Sequence, residues 1–107
     1  MRDFRKYEIW QVGMEVVNSV YNSMENMPDH EKYGIRSQTS RSAVSIPSNI
    51  AEGCSRESEK DFKRFLEYSP GSCYELETQL IICETNAFID PIKIEIKSHG
   101  LGQSPWH

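Results

Sequence analysis

The stretch QTSRSAVSIPSNIAEG, residues 38–53, decides the fold, because its side chains divide into two adjacent faces at the spacing of an α-helix. One face is apolar and consists, with the preceding Ile35, of Ala43, Ile46 and Ile50. The other face is polar and consists of Gln38, Ser42, Ser45, Asn49 and Glu52. We therefore predict a helix that buries one face and sets a row of polar groups beside it.

The polar face indicates either a hydrogen-bond network or a solvated surface. Polar groups at core spacing cost free energy unless each finds a partner. We predict a hydrogen-bonded stripe that contacts the following helix through Glu75 or Glu77. The residues of this stripe are Gln38, Ser45, Asn49 and Glu52. A stripe that faces water is the alternative, and the pattern alone leaves it open.

Length and composition are typical of one soluble globular domain. The chain has 107 residues, of which 37% are hydrophobic and 26% are charged. No apolar run approaches the roughly 20 residues that span a bilayer. The opening residues, MRDFRKYEIW, carry charges and lack the apolar segment of a signal peptide. We therefore predict a cytoplasmic protein with no membrane partner.

The net charge of −4 conceals an uneven distribution along the chain. Residues 35–66 carry six basic and four acidic side chains, a net charge of +2. Residues 67–90 carry five acidic side chains and no basic ones, a net charge of −5. A molecule that is basic at one end and acidic at the other suits head-to-tail assembly as well as a phosphate backbone.

The three cysteines, Cys54, Cys73 and Cys83, are odd in number and show no C-x-x-C spacing. Neither a disulfide framework nor a zinc site is indicated. Cys73 and Cys83 fall on the apolar side of their predicted helix, where a thiol packs as a small hydrophobic group. Cys54 falls in a predicted turn, where we expect it to be exposed.

A first helix is predicted over residues 7–24, because apolar side chains recur there at alternating spacings of four and three. The predicted seam consists of Trp10, Met14, Val17, Tyr21 and Met24. Ile9, Val16 and Val20 widen the apolar surface beyond that seam. We expect this wider surface to face a second partner or a neighbouring subunit.

The second helix is predicted over residues 31–51, after a break at residues 26–29. Pro47 lies inside it and lacks the N–H that would bond to the carbonyl of Ala43, which predicts a kink near Ser45. Gly53 tolerates the left-handed conformation that ends many helices, so we predict that it follows the last helical turn.

A third helix is predicted to begin at a capping box formed by Ser58 and Asp61. Its apolar face continues for about 26 residues, the length of an antiparallel partner for the first helix. The residues on this face are Phe62, Phe65, Leu66, Ser69, Cys73, Leu76, Leu80, Cys83 and Ala87. Pro70 lies within the run, so the pattern predicts either one kinked helix or two helices in line.

The remaining residues give mixed signals. Asp90 and Pro91 are typical of a helix start, but Ile92, Ile94 and Ile96 alternate with charged residues as in a strand. The sequence SHGLGQSPWH then reads as a tail. We predict a helical domain over residues 1–98, ending in a shortened or altered fourth helix, and a frayed tail over residues 99–107.

Nothing in the sequence carries an evident catalytic or metal site. The Glu-x-x-His pairs of di-metal helical bundles are absent, and His30, His99 and His107 lie in a predicted loop and tail. The serines of the second helix have no histidine beside them to act as a base. We predict a protein that is not an enzyme and needs no cofactor; a hydrolase that uses Glu75 or Glu77 is a weaker alternative.

The run SIPSNIAEG, with YGIRSQ before it and GSCYELETQL after it, resembles the four-helix-bundle proteins named after the intervening sequence of bacterial 23S rRNA. The resemblance covers about residues 4–90. It implies an all-α, up-and-down antiparallel bundle and a homo-oligomer, typically a pentamer, without enzymatic activity. The matching positions are Gln38, Arg41, Ser45, Ile46, Pro47, Asn49, Glu52, Gly53, Gly71, Ser72, Glu75, Glu77 and Leu80. Pro70 departs from the family pattern.

A similar fold serves as the accessory protein of diversity-generating retroelements, which binds a reverse transcriptase and nucleic acid. By this resemblance we expect an RNA- or DNA-associated protein, with a protein-interaction scaffold as the alternative. The candidate nucleic-acid-binding residues are Arg36, Arg41, Arg56, Lys60, Lys63 and Arg64. Some of them can converge where the second and third helices meet, although a solvated face with helical ion pairs would show the same pattern.

Overall fold

The computed structural model describes residues 2–28 and 34–89, and this part of the chain is helical with no strand. A short 3-10 helix, Phe4–Lys6, precedes α1 (Glu8–Ser23), α2 (Ile35–Cys54) and α3 (Glu59–Thr85). The predicted all-α class is confirmed. The predicted fourth helix and the tail over residues 99–107 lie outside the described residues, as does the predicted start of the second helix at Glu31.

Helix α2 lies at the centre of the described structure. It packs along both α1 and α3, whereas α1 and α3 make no close backbone approach to each other within residues 2–28 and 34–89. The core therefore forms on the two sides of α2. Its fully buried side chains include Val16, Val20, Met24, Ile46, Ile50, Leu76 and Leu80.

The buried face of α1 differs from the predicted seam. Val16 and Val20, predicted to lie outside the seam, are 1% and 0% exposed, whereas Tyr21 is 49% exposed. The reason lies at Gly13, which faces α2 directly: a Cβ added there would lie 3.4 Å from the Cβ of Pro47. Because Gly13 has no side chain, α1 packs closely on α2 there and buries Val16 and Val20, whereas Tyr21 lies at the edge.

Neither proline interrupts its helix. α2 continues through Pro47, which is buried, and α3 continues through Pro70, so the alternative of two helices in line is wrong. Ser58 caps α3 as predicted, since its hydroxyl accepts a hydrogen bond of 3.1 Å from the amide of Asp61.

The end of α2 packs tightly against α3. Gly53 lies inside the last turn of α2 rather than after it, and a Cβ added there would lie 2.8 Å from the Cβ of Phe65. Its role is therefore to permit close helix packing, which the prediction of a left-handed end residue missed. Cys54 is 2% exposed, so the predicted exposure of its thiol is wrong.

Helix α3 ends in a Schellman motif. The amide of Phe88 donates to the carbonyl of Cys83 over 2.9 Å, and the amide of Ala87 donates to the carbonyl of Glu84 over 3.0 Å. Ala87 has a φ of 58°, the left-handed conformation that glycine usually supplies at this position. Ala87 therefore ends the helix and is exposed, instead of extending the predicted apolar face.

Candidate functional site

Four of the six predicted nucleic-acid-binding residues lie together where α2 meets α3. Arg56 is in the connecting turn, and Lys60, Lys63 and Arg64 are in the first two turns of α3. All four side chains are exposed. We call this surface the basic corner.

Arg36 and Arg41 lie elsewhere. Arg36 is the second residue of α2 and Arg56 is the second residue after its end, so the rise of 1.5 Å per residue separates them by about 30 Å along the helix axis. Arg41 is about 22 Å from Arg56 by the same rise. The structure therefore divides the predicted set into the basic corner and two arginines toward the other end of α2.

Two aromatic rings hold arginines at the basic corner. The guanidinium carbon of Arg56 lies 4.6 Å from the ring centre of Phe65, and that of Arg2 lies 4.2 Å from the ring centre of Phe62. Both rings, expected in the core, are half-buried and have their outer faces covered by these guanidinium groups. Cation–π contacts of this kind fix the planes of the arginines against the protein surface.

Carboxylates neutralise the arginines of the corner. Arg56 binds Glu52 over 2.9 Å, and Arg64 lies 3.7 Å from Asp61. Arg2 pairs with Glu59, and its other terminal nitrogen donates to the carbonyl of Arg56 over 2.6 Å. These pairs are exposed on at least one side, so each contributes little to stability.

Two lysines of the corner keep their charges unpaired. Within residues 2–28 and 34–89, Lys60 and Lys63 make no ion pair. Beside them, a cavity of about 630 Å³ is lined by Arg2, Cys54, Ser55, Arg56 and Glu57. The corner thus combines a concave surface, oriented guanidinium groups and free ammonium groups, which together suit a flexible anion.

Sequence reasoning missed Arg2. Its side chain reaches partners 54 and 57 residues away in the chain, at Arg56 and Glu59. No local pattern marks such a contact, because it arises only when the segment before α1 folds across the α2–α3 turn. An aromatic residue in the first turns of α3, Phe62, was the one available sign that a cation would pack there.

The predicted polar stripe bonds mainly within its own helix. Asn49 donates to the carbonyl of Ser45 over 2.8 Å, and Ser45 donates to the carbonyl of Ser42 over 2.7 Å. Glu52 pairs with Arg56, and Gln38 is exposed. The four predicted residues therefore make no side-chain hydrogen bond to α3 in the described part of the chain, because backbone carbonyls one turn away are nearer acceptors.

The bond between α2 and α3 is made by Ser42 instead. Its hydroxyl donates to Oε1 of Glu75 over 3.1 Å, and the same oxygen accepts a long bond of 3.4 Å from Nε2 of Gln79. A cleft of about 410 Å³ opens beside this bond, and its lining also includes Arg41 and Ser72. The predicted partner Glu75 is thus correct, with a different residue of α2 as the donor.

Glu77, the other predicted partner, is 6% exposed. Its Oε2 atom is buried and has no hydrogen-bond partner, and burial raises the pKa of this carboxyl. The neighbouring thiol of Cys73 is affected in the same sense: burial, and then the negative charge of Glu77, raise its pKa to about 11. Both groups therefore resist ionisation.

Neither a metal-binding group of side chains nor a membrane-spanning helix occurs among the described residues. Among them, no three His, Cys, Asp or Glu side chains are grouped so that they could hold a metal ion. No helix in residues 2–28 and 34–89 is long and apolar enough to cross a bilayer. The three histidines lie outside these residues.

The family model described as 23S rRNA-intervening sequence protein matches residues 5–99, nearly the whole chain. No curated protein matches the chain.

Proposed function

Because the chain belongs to the family of 23S rRNA-intervening sequence proteins, we propose that it is a non-enzymatic, oligomeric four-helix-bundle protein that associates with RNA. The basic corner is the surface that contacts the RNA. The observation that carries this proposal is the unpaired state of Lys60 and Lys63 beside guanidinium groups held on Phe62 and Phe65.

The chemistry of the corner suits single-stranded RNA. Lysine ammonium groups bind phosphates as point charges, and guanidinium planes can stack against unpaired bases. The guanidinium of Arg56 already lies over the ring of Phe65, so it can receive a base on its outer side with little further loss of side-chain freedom. The exposed Tyr68, whose ring lies 5.7 Å from that of Phe65, extends the stacking surface along α3.

The charge distribution directs RNA to this end of the molecule. Beyond the corner, α3 carries Glu67, Glu75, Glu77 and Glu84 without a basic residue. The carboxylates of Glu67, Glu75 and Glu84 repel a phosphate backbone, so contact is confined to the first turns of α3 and the preceding turn. Few phosphates are then neutralised, and binding is weak and sensitive to salt.

Filter binding of a single-stranded RNA at two ionic strengths tests the proposal. We expect retention at low salt and loss at high salt, because each neutralised phosphate contributes nearly one unit to the slope of log K against log salt. The double variant Lys60→Glu, Lys63→Glu should abolish retention. The matched control is Arg36→Glu with Arg41→Glu. It makes the same charge change outside the corner, on α2, and should retain RNA much better.

Two results would overturn the proposal. Absence of retention by the parent chain at low salt removes RNA association. Equal loss in the two double variants removes the basic corner as the contact surface, since it shows that only net charge matters.

A protein-interaction scaffold is the second candidate, and exposed apolar side chains favour it. Tyr74 and Ile81 lie two turns apart on one face of α3 and are 49% and 52% exposed. On the other side of the molecule, a groove of about 240 Å³ between α1 and α2 is lined by Trp10, Met14 and Val44. Two separate apolar surfaces suit a ring in which each subunit contacts two neighbours.

Light scattering and affinity capture separate the candidates. A ring predicts a mass that is a multiple of 12.4 kDa, and a monomer would remove both the ring and the scaffold that depends on it. Capture from lysate treated with nuclease distinguishes the partners: protein partners that survive the nuclease favour the scaffold, and loss of all partners favours RNA.

A further inference from the structure

The cleft between α2 and α3 holds two opposite charges that do not neutralise each other. Arg41 lines it from α2 and Glu75 lines it from α3. Neither residue forms an ion pair within the described part of the chain. Among the residues that the structure describes, they are the only charged ones in the lining, so these residues give the cleft one fixed cation and one fixed anion, both available to a ligand.

Gln79 adds a buried acceptor without a donor. It is 8% exposed and lines the cleft, and its Oε1 atom is buried with no hydrogen-bond partner. The assignment of its amide follows from chemistry: Nε2 must face the Glu75 carboxylate, because two oxygens would repel each other there. Leaving the buried Oε1 unpaired is unfavourable, and a ligand that supplies an N–H group would remove this penalty.

Small side chains form much of the wall of the cleft. Ser42, Ser45 and Ser72 occupy the positions where larger side chains would close the gap between the helices. Ser45 satisfies its hydroxyl on its own helix, and Ser42 donates to Glu75, so neither hydroxyl is left as a free donor in the cleft. Gln38 and Ser72 add an amide and a hydroxyl, and the charged groups are the Glu75 carboxylate on α3 and the Arg41 guanidinium on α2.

From this arrangement we infer that the cleft binds a small zwitterion of the amino-acid class. The ligand's ammonium group lies between Glu75 and Gln79, and its carboxylate binds the guanidinium of Arg41. The ammonium donates one hydrogen to Oε1 of Gln79, which has no donor in the free protein, and the others to the Glu75 carboxylate. Charge-assisted hydrogen bonds at both ends of the ligand give partners to groups that have none in the free protein.

The inference is independent of RNA association, because it uses none of the residues of the basic corner. A chain that fails to bind RNA can still bind the zwitterion, and the reverse also holds. The volume of about 410 Å³ admits a molecule of several heavy atoms, so the distance between its charges is the variable that selects it.

A series of zwitterions with increasing charge separation tests the inference: glycine, β-alanine and 4-aminobutanoate, with butylamine and butyrate as probes of one charge only. Titration is followed by amide chemical shifts of the full chain. We expect saturable shifts in residues 38–45 and 72–79 for at least one zwitterion, with a Kd of about 1 mM or tighter. Both single-charge probes should bind at least about tenfold more weakly.

Substitutions identify the two charges. Glu75→Gln and Arg41→Gln should each weaken binding about tenfold or more. Glu67→Gln and Arg5→Gln make the same charge changes outside the cleft and should leave the Kd unchanged. The inference is wrong if no zwitterion gives saturable shifts, if butylamine binds as tightly as the best zwitterion, or if Glu75→Gln binds like the parent while circular dichroism shows that it is folded.

Discussion

The α-carbon of Gly53 faces the side chain of Phe65 so closely that a Cβ added to the glycine would lie 2.8 Å from the Cβ of the phenylalanine. Real Cβ contacts are not that short, so the end of α2 can approach α3 only because residue 53 has no side chain. This contact sets the distance between the two helices at the basic corner. It also brings Arg56 over the ring of Phe65.

We therefore predict that Gly53→Ala lowers the free energy of unfolding by about 1–3 kcal/mol, because it forces the helices apart in a packed region. Urea unfolding measures the change. The matched control is Gly71→Ala, since a Cβ added at Gly71 meets nothing within 4 Å. That variant should be more stable than the parent by about 0.5–1 kcal/mol, as alanine is the better helix former. Equal effects of the two substitutions would contradict the packing role of Gly53.

At position 87 we expect glycine to be more stabilising than alanine, the reverse of Gly71. Its φ of 58° is unfavourable for a residue with a Cβ, and the Schellman hydrogen bonds at the end of α3 require that conformation. Ala87→Gly should therefore raise the free energy of unfolding by about 1 kcal/mol. Ala51→Gly, inside α2, should lower it by about 1 kcal/mol. Thermal denaturation of both variants checks the signs, and destabilisation by Ala87→Gly would show that the end of α3 is not held in this motif.

Glu77 makes stability depend on pH in an identifiable direction. Burial raises the pKa of its carboxyl above the ordinary 4.5, so the folded state binds a proton more readily than the unfolded state. Its ionised form thus destabilises the fold at neutral pH, and the penalty disappears as the pH falls through the raised pKa. We expect Glu77→Gln to melt at a higher temperature than the parent at neutral pH.

The difference between Glu77→Gln and the parent should shrink as the pH approaches 4.5, where the parent carboxyl is increasingly protonated. Glu67→Gln, an exposed residue of the same helix, removes the same charge and serves as the control. A difference that stays constant with pH would show that Glu77 is not shielded from water.

The thiols provide a test of the core. Cys54, Cys73 and Cys83 are free and buried, and burial raises the pKa of Cys54 and brings that of Cys73 to about 11. Because the thiolate is the reactive form, none of the three should react with a disulfide reagent in the folded protein at neutral pH. All three should react after denaturation. Rapid reaction of one thiol in the folded state would identify Cys54, which lies nearest the cavity at the corner, as accessible.

The helices were predictable because each has its own local signal. Apolar periodicity marks α1, and the Ser58 cap marks the start of α3. The buried face of α1 was not predictable in this way, since Gly13 contributes nothing to an apolar pattern yet lies directly against α2. Pro47 predicted a kink, and Pro70 either a kink or a break, because the sequence shows the missing hydrogen bond but not whether the helix continues through it.

The site was predictable only where its residues are close in sequence. Arg56, Lys60 and Lys63 flank one turn and are therefore neighbours in any helical hairpin. Asn49 illustrates what the sequence leaves open. An amide on a polar face can bond to another helix or to its own, and in the structure Asn49 donates to the carbonyl of Ser45. The role of Arg2 depends on how the chain folds back, which composition does not encode.

The central position of α2 also determines how the molecule opens. α1 and α3 each pack against α2 and do not closely approach each other in the described residues, so neither outer helix can hold the other once α2 is displaced. An opening that releases α1 leaves α2 and α3 packed together, whereas an opening that displaces α2 removes the packing of both neighbours. We therefore expect backbone amides of α2 to exchange their protons with solvent mainly when the described unit unfolds as a whole, and amides of α1 to exchange through a smaller and more frequent opening.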